Sequence, residues 1–196
     1  SNVRVRFAPS PTGPLHIGGL RTALFNYLFA KQNNGEFILR IEDTDNNRFT
    51  EGAEQYIKDA LEWAGISFNE GPYRQSERKE IYKKHVQMLI DKGMAYYAFD
   101  DAETLNSHRS DHEAKGKTFI YNWHNRLKLL NSLAMESSVV EEKLSRGDKY
   151  VVRFKCSEEN TINCNDLVRG VVSVDSRLLD DKIIYKSDGM PTYHLA

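Results

Sequence analysis

Residues 3–42 read "VRVRFAPSPTGPLHIGGLRTALFNYLFAKQNNGEFILRIE", and the spacing within this stretch decides the fold class. Val3, Val5 and Phe7 alternate with Arg4 and Arg6, the period of two of a strand. After a loop rich in proline and glycine, Leu20, Leu24, Tyr27 and Leu28 recur at the i, i+4, i+7, i+8 spacing of a helix. "NNG" at 33–35 closes that helix with residues that tolerate the left-handed region. "EFILRIE" at 36–42 is a mostly apolar run, the composition of a strand covered on both faces. Ile57, Leu61 and Ala64 then mark a second helix, stopped by Gly65. A strand–helix–strand–helix opening predicts a parallel sheet with right-handed crossovers. The expected fold class is therefore α/β, a Rossmann-like doubly wound sheet.

Beyond residue 73 the texture changes. Ser76 is placed to cap a helix carrying Ile81, His85, Met88 and Leu89, with Gly93 as terminator. "MAYYAF" at 94–99 reads as a strand, and residues 100–148 read as highly charged and mostly helical. "KYVVRFK", "DLVRGVVSVD" and "KIIYKS" give three β segments, the middle one broken by "RG" as in a hairpin or a bulge. "SDGMPTYHLA" is expected to turn into a helix at Pro191. The two strands of the opening do not close a core across so long an interruption. The expected organisation is a first half-sheet at 1–72, an inserted α+β domain at 73–184, and the start of a second half-sheet at 185–196. The sheet is incomplete, as in a fragment.

Bulk properties set limits. The chain carries 27 Lys and Arg against 28 Asp and Glu, a net charge of −1, so no overall basic field marks a nucleic-acid partner. A local basic face is compatible with that balance. No apolar run approaches the ~18 residues of a membrane span, and a cytoplasmic protein without a membrane partner is expected. Two cysteines, Cys156 and Cys164, argue against a disulfide scaffold and fit a reducing compartment.

The loop after the first strand lies at the carboxyl edge of the sheet, where ligands bind in such folds. The next helix offers unpaired backbone N–H groups and a positive dipole end to an anion. Gly18 and Gly19, lacking Cβ, would let a planar ring or a phosphate approach the backbone. His16 can donate an N–H to a phosphate oxygen; its plainer reading is a loop histidine packed beside Pro14. The loop is neither a P-loop nor G-x-G-x-x-G.

"HIGG" after "FAPSPTGPL" resembles the His-Ile-Gly-His (HIGH) signature of class I aminoacyl-tRNA synthetases, nucleotidylyl transferases built on a Rossmann-like sheet. The ordered blocks "RFAPSPTGPLHIGGLRTALFNYLFA", "FILRIEDTD", "YRQSER", "DLVRGVV" and "KSDGMPTYHLA" resemble the glutamyl-tRNA synthetases over nearly the whole chain. Gly19 stands where the signature has its second histidine, and "EGPYRQSER" joins directly where relatives carry a short Gly-rich loop. The resemblance implies a ligase of protein biosynthesis that activates glutamate with ATP, brought with Mg²⁺ as a substrate complex. Glutamyl-adenylate forms first, and the acyl group then passes to tRNA(Glu).

The same resemblance implies site residues. Matching positions put Arg6, Ala8, Ser10, Glu42 and Tyr193 on glutamate. They put Pro9, Thr12, His16, Gly18 and Gly19 on ATP, with His16 catalytic, and point Asp45 and Arg48 toward the tRNA end. Glutamate brings two carboxylates and an ammonium, so its pocket must offer a fixed cation and an anion. Arg6 suits the first by its bidentate fork, Glu42 the second. The plainer readings are a solvated strand arginine like Arg4, and an ordinary ion pair of Glu42 with Arg40. The insertion resembles an acceptor-end-binding domain, interleaving cations with Phe119, Tyr121 and Trp123. Its plainer reading is a helical subdomain with its own small aromatic core. No metal ligands and no zinc are expected, and a monomer is. By itself the fragment is expected to be inactive. Two alternatives stay open: a glutamyl-queuosine tRNA synthetase paralogue, and a non-catalytic nucleotide- or RNA-binding module.

Overall fold

Three parallel strands form the first sheet, in the order β1 (Arg4–Phe7), β2 (Glu36–Ile41), β3 (Glu70–Arg74). The crossovers are helices α1 (Ile17–Gln32) and α2 (Ala53–Trp63). The computed structural model describes residues 3–44, 50–158 and 160–196, and it divides into two units, Ser1–Lys79 and Glu80–Ala196.

Both helices of the first unit pack on one face of the sheet. Ala23, Ala30, Ile57 and Leu61 meet Phe7, Phe37, Leu39 and Ile41 in its core. Burial along β2 alternates: Phe37, Leu39 and Ile41 are fully buried, while Ile38 and Arg40 between them are half-buried. The expectation of a strand covered on both faces is thus corrected. The other face carries an ionic ladder instead, with Arg4 bonded to Glu36 at 2.7 Å and to Glu70 at 2.5 Å.

Strand β3 escaped the sequence reading because "EGPYR" contains two strand breakers. Its register with β2 slips between Ile38↔Glu70 and Arg40↔Tyr73, so Gly71 and Pro72 sit in a bulge. Gly71 has φ +104°, and a Cβ there would lie 2.2 Å from the carbonyl oxygen of Leu39. Only glycine lets the two backbones come this close.

Helix α2 is tied to β3 through Glu54, which accepts from Arg74 Nε and Nη2 at 2.8 Å each and from Lys58 at 2.7 Å. The Arg74 hydrogen bonds, helped by Lys58 and opposed by burial, hold the Glu54 carboxyl at about 2 instead of the usual 4.5. A carboxyl lowered on folding stabilises above its unfolded value, and that stability is lost as pH falls through the folded one. Acid titration between pH 4.5 and about 2 is therefore expected to lose about 1–2 kcal/mol more in the parent than in Glu54→Gln, solvent screening included. Equal acid sensitivity in urea melts of the two would contradict this.

The second unit is built on an antiparallel sheet, in the order β4 (Ala95–Ala98), β5 (Val151–Phe154), β8 (Ile183–Tyr185). Its core joins Ala95, Val152, Ile184 and Tyr185 to Tyr82 and Val86 of α3 (Lys79–Asp91). Helix α3 thus turns in a face different from that expected: Ile81 and Met88 are exposed, and Leu89 alone of the expected apolar residues packs on this core. Ser76 does not cap it. The Ser76 N–H and hydroxyl both donate to Asp43, anchoring the 3₁₀ turn Gln75–Arg78 to the end of β2.

Residues 100–148 are less helical than expected. Helices α4 (Ala102–Glu113) and α5 (Ser137–Arg146) flank a largely irregular segment. Asn131, fully buried there, donates to the Tyr121 hydroxyl and to the carbonyls of Arg126 and Leu129. Asparagine side chains that bond backbone in this way compete with a helix.

Of the two alternatives at "RG", the hairpin forms, from β6 (Thr161–Asp166) and β7 (Gly170–Asp175), β6 being the arm not anticipated. Strand β8 pairs antiparallel with β5, so Ile183–Tyr185 belongs to this second sheet. No helix starts at Pro191. That residue bridges to Tyr185, and Thr192 bonds back to the carbonyls of Ile183 and Ile184.

Candidate active site

Strands β1 and β2 end side by side, Phe7 opposite Leu39, so the segments leaving the two strands gather at one edge of the sheet. The Glu42 N–H donates to the Pro9 carbonyl at 3.0 Å, pinning the proline loop to the end of β2. Thr12 N–H closes a turn on the Ser10 carbonyl. Pro11 is buried beneath, while Ser10, Thr12 and His16 stay exposed and Ala8 and Pro9 are half-buried. The structure thus brings Arg6, Ala8, Pro9, Ser10, Thr12, His16, Gly18, Gly19 and Glu42 to one edge of the first unit.

His16 is the N-cap of α1, with extended backbone at φ −68° and ψ 148°. Its Nδ1 accepts the Gly18 N–H at 3.0 Å. An accepting Nδ1 assigns the ring proton to Nε2, which is thereby the donor of the pair. This corrects one part of the sequence reading. The first-turn N–H groups of Gly18 and Gly19 are not open to an anion: Gly18 bonds the His16 ring, and Gly19 bonds the His16 carbonyl at 2.8 Å. The positive end of the helix remains, with no acidic residue in its first turn to offset it.

The two glycines also answer to the protein itself. A Cβ on Gly18 would stand 3.2 Å from His16 Nδ1, and one on Gly19 would stand 2.8 Å from Leu15 Cδ1. Glycine at 18 keeps the cap bond short, and glycine at 19 lets Leu15 lie down toward Phe7.

Glu42 is held by two guanidinium groups. Arg40 Nη2 donates to its Oε1 at 2.7 Å, and Arg6 Nη1 lies 4.0 Å from the same oxygen. The ion pair with Arg40, the plainer reading of Glu42, does form. Asp43 was missed here, and Arg40 was weighed only as the partner in that plain ion pair; both lie in the "RIED" run, whose polar close after an apolar strand was the available signal.

Tyr193 lies in the second unit, 73% exposed, with its ring 3.9 Å from that of His194. Asp45 and Arg48 fall outside the described residues. Of the aromatics expected to serve RNA, Phe119 and Tyr121 pack into a small core with Tyr96 and Leu129. For these two the plainer reading holds. Trp123 stands outside that cluster, stacked on His124 and donating its indole N–H to the Arg177 carbonyl at 3.3 Å. Two cavities of the second unit, of about 660 and 460 Å³, share Phe154, Cys156 and Leu179, and neither is lined by any residue assigned above to the site. Their size is not a reason to move the chemistry there. Among the described residues no three His, Cys, Asp or Glu side chains converge as for a metal ion.

The family model for the catalytic domain of class I tRNA synthetases (E and Q) matches residues 2–196. The chain belongs to this family. It is 60% identical to a glutamate–tRNA ligase of Christiangramia forsetii and 59% identical to one of Flavobacterium johnsoniae. These alignments cover 100% and 99% of the chain but 40% of each relative, so the chain spans about two fifths of their length. A crystal structure of the glutamate-tRNA synthetase from Elizabethkingia anophelis superposes with a TM-score of 0.94 at 50% identity, covering the whole chain and 41% of that protein. A glutamate tRNA ligase of Elizabethkingia meningosepticum, crystallised in complex with its amino acid, gives the same score and identity over 40% of its chain. A class I synthetase catalytic domain thus accounts for the parallel sheet and its helices.

Proposed function

We propose that the protein containing this chain joins glutamate to tRNA(Glu) through a glutamyl-adenylate. The supporting observation is the carboxyl edge of the first sheet, where Arg6 of β1, Glu42 at the end of β2 and the histidine-capped start of α1 gather. Arg6 clamps a substrate carboxylate through its planar fork, and Glu42 accepts from the ammonium. Ser10 and the backbone at Ala8 complete that pocket, and the family resemblance assigns Tyr193 to glutamate as well. ATP enters with its Mg²⁺ and lies along Pro9, Thr12, His16, Gly18 and Gly19.

A glutamate carboxylate oxygen then attacks the α-phosphorus. The bond to the bridging oxygen breaks, and pyrophosphate leaves with the electron pair. His16 Nε2–H donates to a phosphate oxygen as charge builds there, at the positive end of α1. Acyl transfer to the terminal ribose of the tRNA releases AMP.

In this reading residues 1–72 form the first half of a doubly wound catalytic sheet, 73–184 bind the acceptor end, and 185–196 begin the return to the second half. These roles divide the chain at other points than its packing does, which breaks after Lys79. Asp45 and Arg48 are proposed on the tRNA side, and the setting is the cytoplasm. No helix among the described residues is long and apolar enough to cross a membrane.

The test is Arg6→Lys in the full-length protein. Lysine keeps the charge and loses the fork, so glutamate binding is expected to weaken by about 1–3 kcal/mol with ATP binding unchanged. Glutamate titrations by pyrophosphate exchange, beside direct ATP binding, separate the two. Parental glutamate affinity in Arg6→Lys would reduce Arg6 to a solvated strand residue.

A further inference from the structure

Glu42 is oriented from its own strand. Arg40 and Glu42 are two positions apart, and so lie on the same side of the chain. Arg40 Nη2 holds Glu42 Oε1 at 2.7 Å, while Arg6 Nη1 stands at 4.0 Å from that oxygen. The Arg40 side chain is only 14% exposed, and its Nε is buried with no hydrogen-bond partner among the described residues. A cation this far from water is retained at a cost unless its partner needs it. Glu42 is that partner, and its second oxygen, Oε2, accepts nothing from the described residues.

We propose that Arg40 is the positioning residue of the amino-acid pocket: by occupying Glu42 Oε1 it leaves Oε2 as the oxygen that receives the substrate ammonium. The inference rests on the glutamate pocket proposed above and assigns Arg40 no contact with substrate. It also completes the charge count. Arg6, Arg40 and Glu42 together carry one positive charge, the complement of a molecule with two carboxylates and one ammonium. Without Arg40, Glu42 swings about its own torsions and meets Arg6 as readily as the ligand.

The experiment is a double-mutant cycle in the full-length protein, read as glutamate KM and kcat in pyrophosphate exchange and as ATP affinity by titration. Arg40→Gln is expected to raise the glutamate KM roughly tenfold to a hundredfold, the scale of one hydrogen bond to a charged group. Saturated turnover and ATP affinity stay near the parental values. In a Glu42→Gln background the same change at Arg40 adds nothing, because the residue acts only through that carboxylate. Arg40→Lys, which can still reach Oε1 from one point, restores most of the loss.

Three results overturn the proposal: a parental KM in Arg40→Gln, an undiminished loss in the Glu42→Gln background, or a parallel loss of ATP affinity that marks general damage to the sheet. Thermal melts of Arg40→Gln and Arg40→Lys identify that last case. Should Glu42→Gln itself keep the parental KM, the reading of Glu42 as the ammonium acceptor falls, and the role of Arg40 falls with it.

Discussion

Asp181→Ala is expected to cost about 3–5 kcal/mol of unfolding free energy, the range for breaking a buried ion pair from one side. Asp181 is fully buried and serves three elements at once. Its Oδ2 accepts from the Tyr96 hydroxyl at 2.6 Å and from Arg126 Nη1 at 3.1 Å, and its Oδ1 accepts from the Cys156 N–H at 2.9 Å. Arg126 is 1% exposed, so alanine at 181 strands a desolvated guanidinium, a backbone donor and a phenol together. Glu158, itself largely exposed, is 3.3 Å from Arg126 Nη2 and can recover only part of that. Glu142→Ala is the control: its pair with Arg146 is 3.7 Å long and solvent-exposed on both sides, and such pairs contribute about 0–1 kcal/mol. Urea unfolding followed by circular dichroism reads both variants. Similar small losses in the two would mean that the buried cluster is dispensable to stability.

His16→Ala is expected to slow adenylate formation by about one to three orders of magnitude, the range for removing one preorganised donor at developing charge. Glutamate affinity should hardly move. Alanine also removes the cap of α1, which by itself costs about 0.5–2 kcal/mol of stability, so a second variant is needed to divide the two roles. His16→Asn supplies that division. Asparagine caps helices well but cannot place a donor where Nε2 stands. It is expected to restore the melting temperature and leave the rate low. A rate that recovers together with stability in His16→Asn would make His16 a structural cap, with the phosphate contact made by another group.

The opening of the fold was legible because its signals are local. Alternation in 3–7, helical spacing from Leu20 to Leu28 and the apolar run at 36–42 each lie within one element. The rest depended on long-range closeness, which no local pattern carries. Strand β3 carries no local strand signal, since Gly71 and Pro72 are there to fit a bulge against Leu39, a residue far away in sequence. The face of α3 was misjudged because Tyr82 and Val86 are chosen by the β4-β5-β8 sheet and not by the helix's own pattern.

The site was legible in a different way. Nothing in the spacing of Arg6 and Glu42 singles them out; the resemblance did. The structure then added one feature that neither spacing nor resemblance supplied, and decided another. The Gly18 and Gly19 amides are already used within the protein, and the ion pair of Glu42 with Arg40, the plainer reading, forms.

The first unit is one uninterrupted run of sequence, in which each strand pairs with the one made just before or just after it. Such an order bears on how the protein is made. Everything that Phe37, Leu39 and Ile57 pack against in that core lies between Val5 and Phe68. At a synthesis rate of about 5–20 residues per second, the ribosome delivers that whole set within seconds. The platform that carries Arg6, His16 and Glu42 can therefore settle on the nascent chain while the second unit is still being translated.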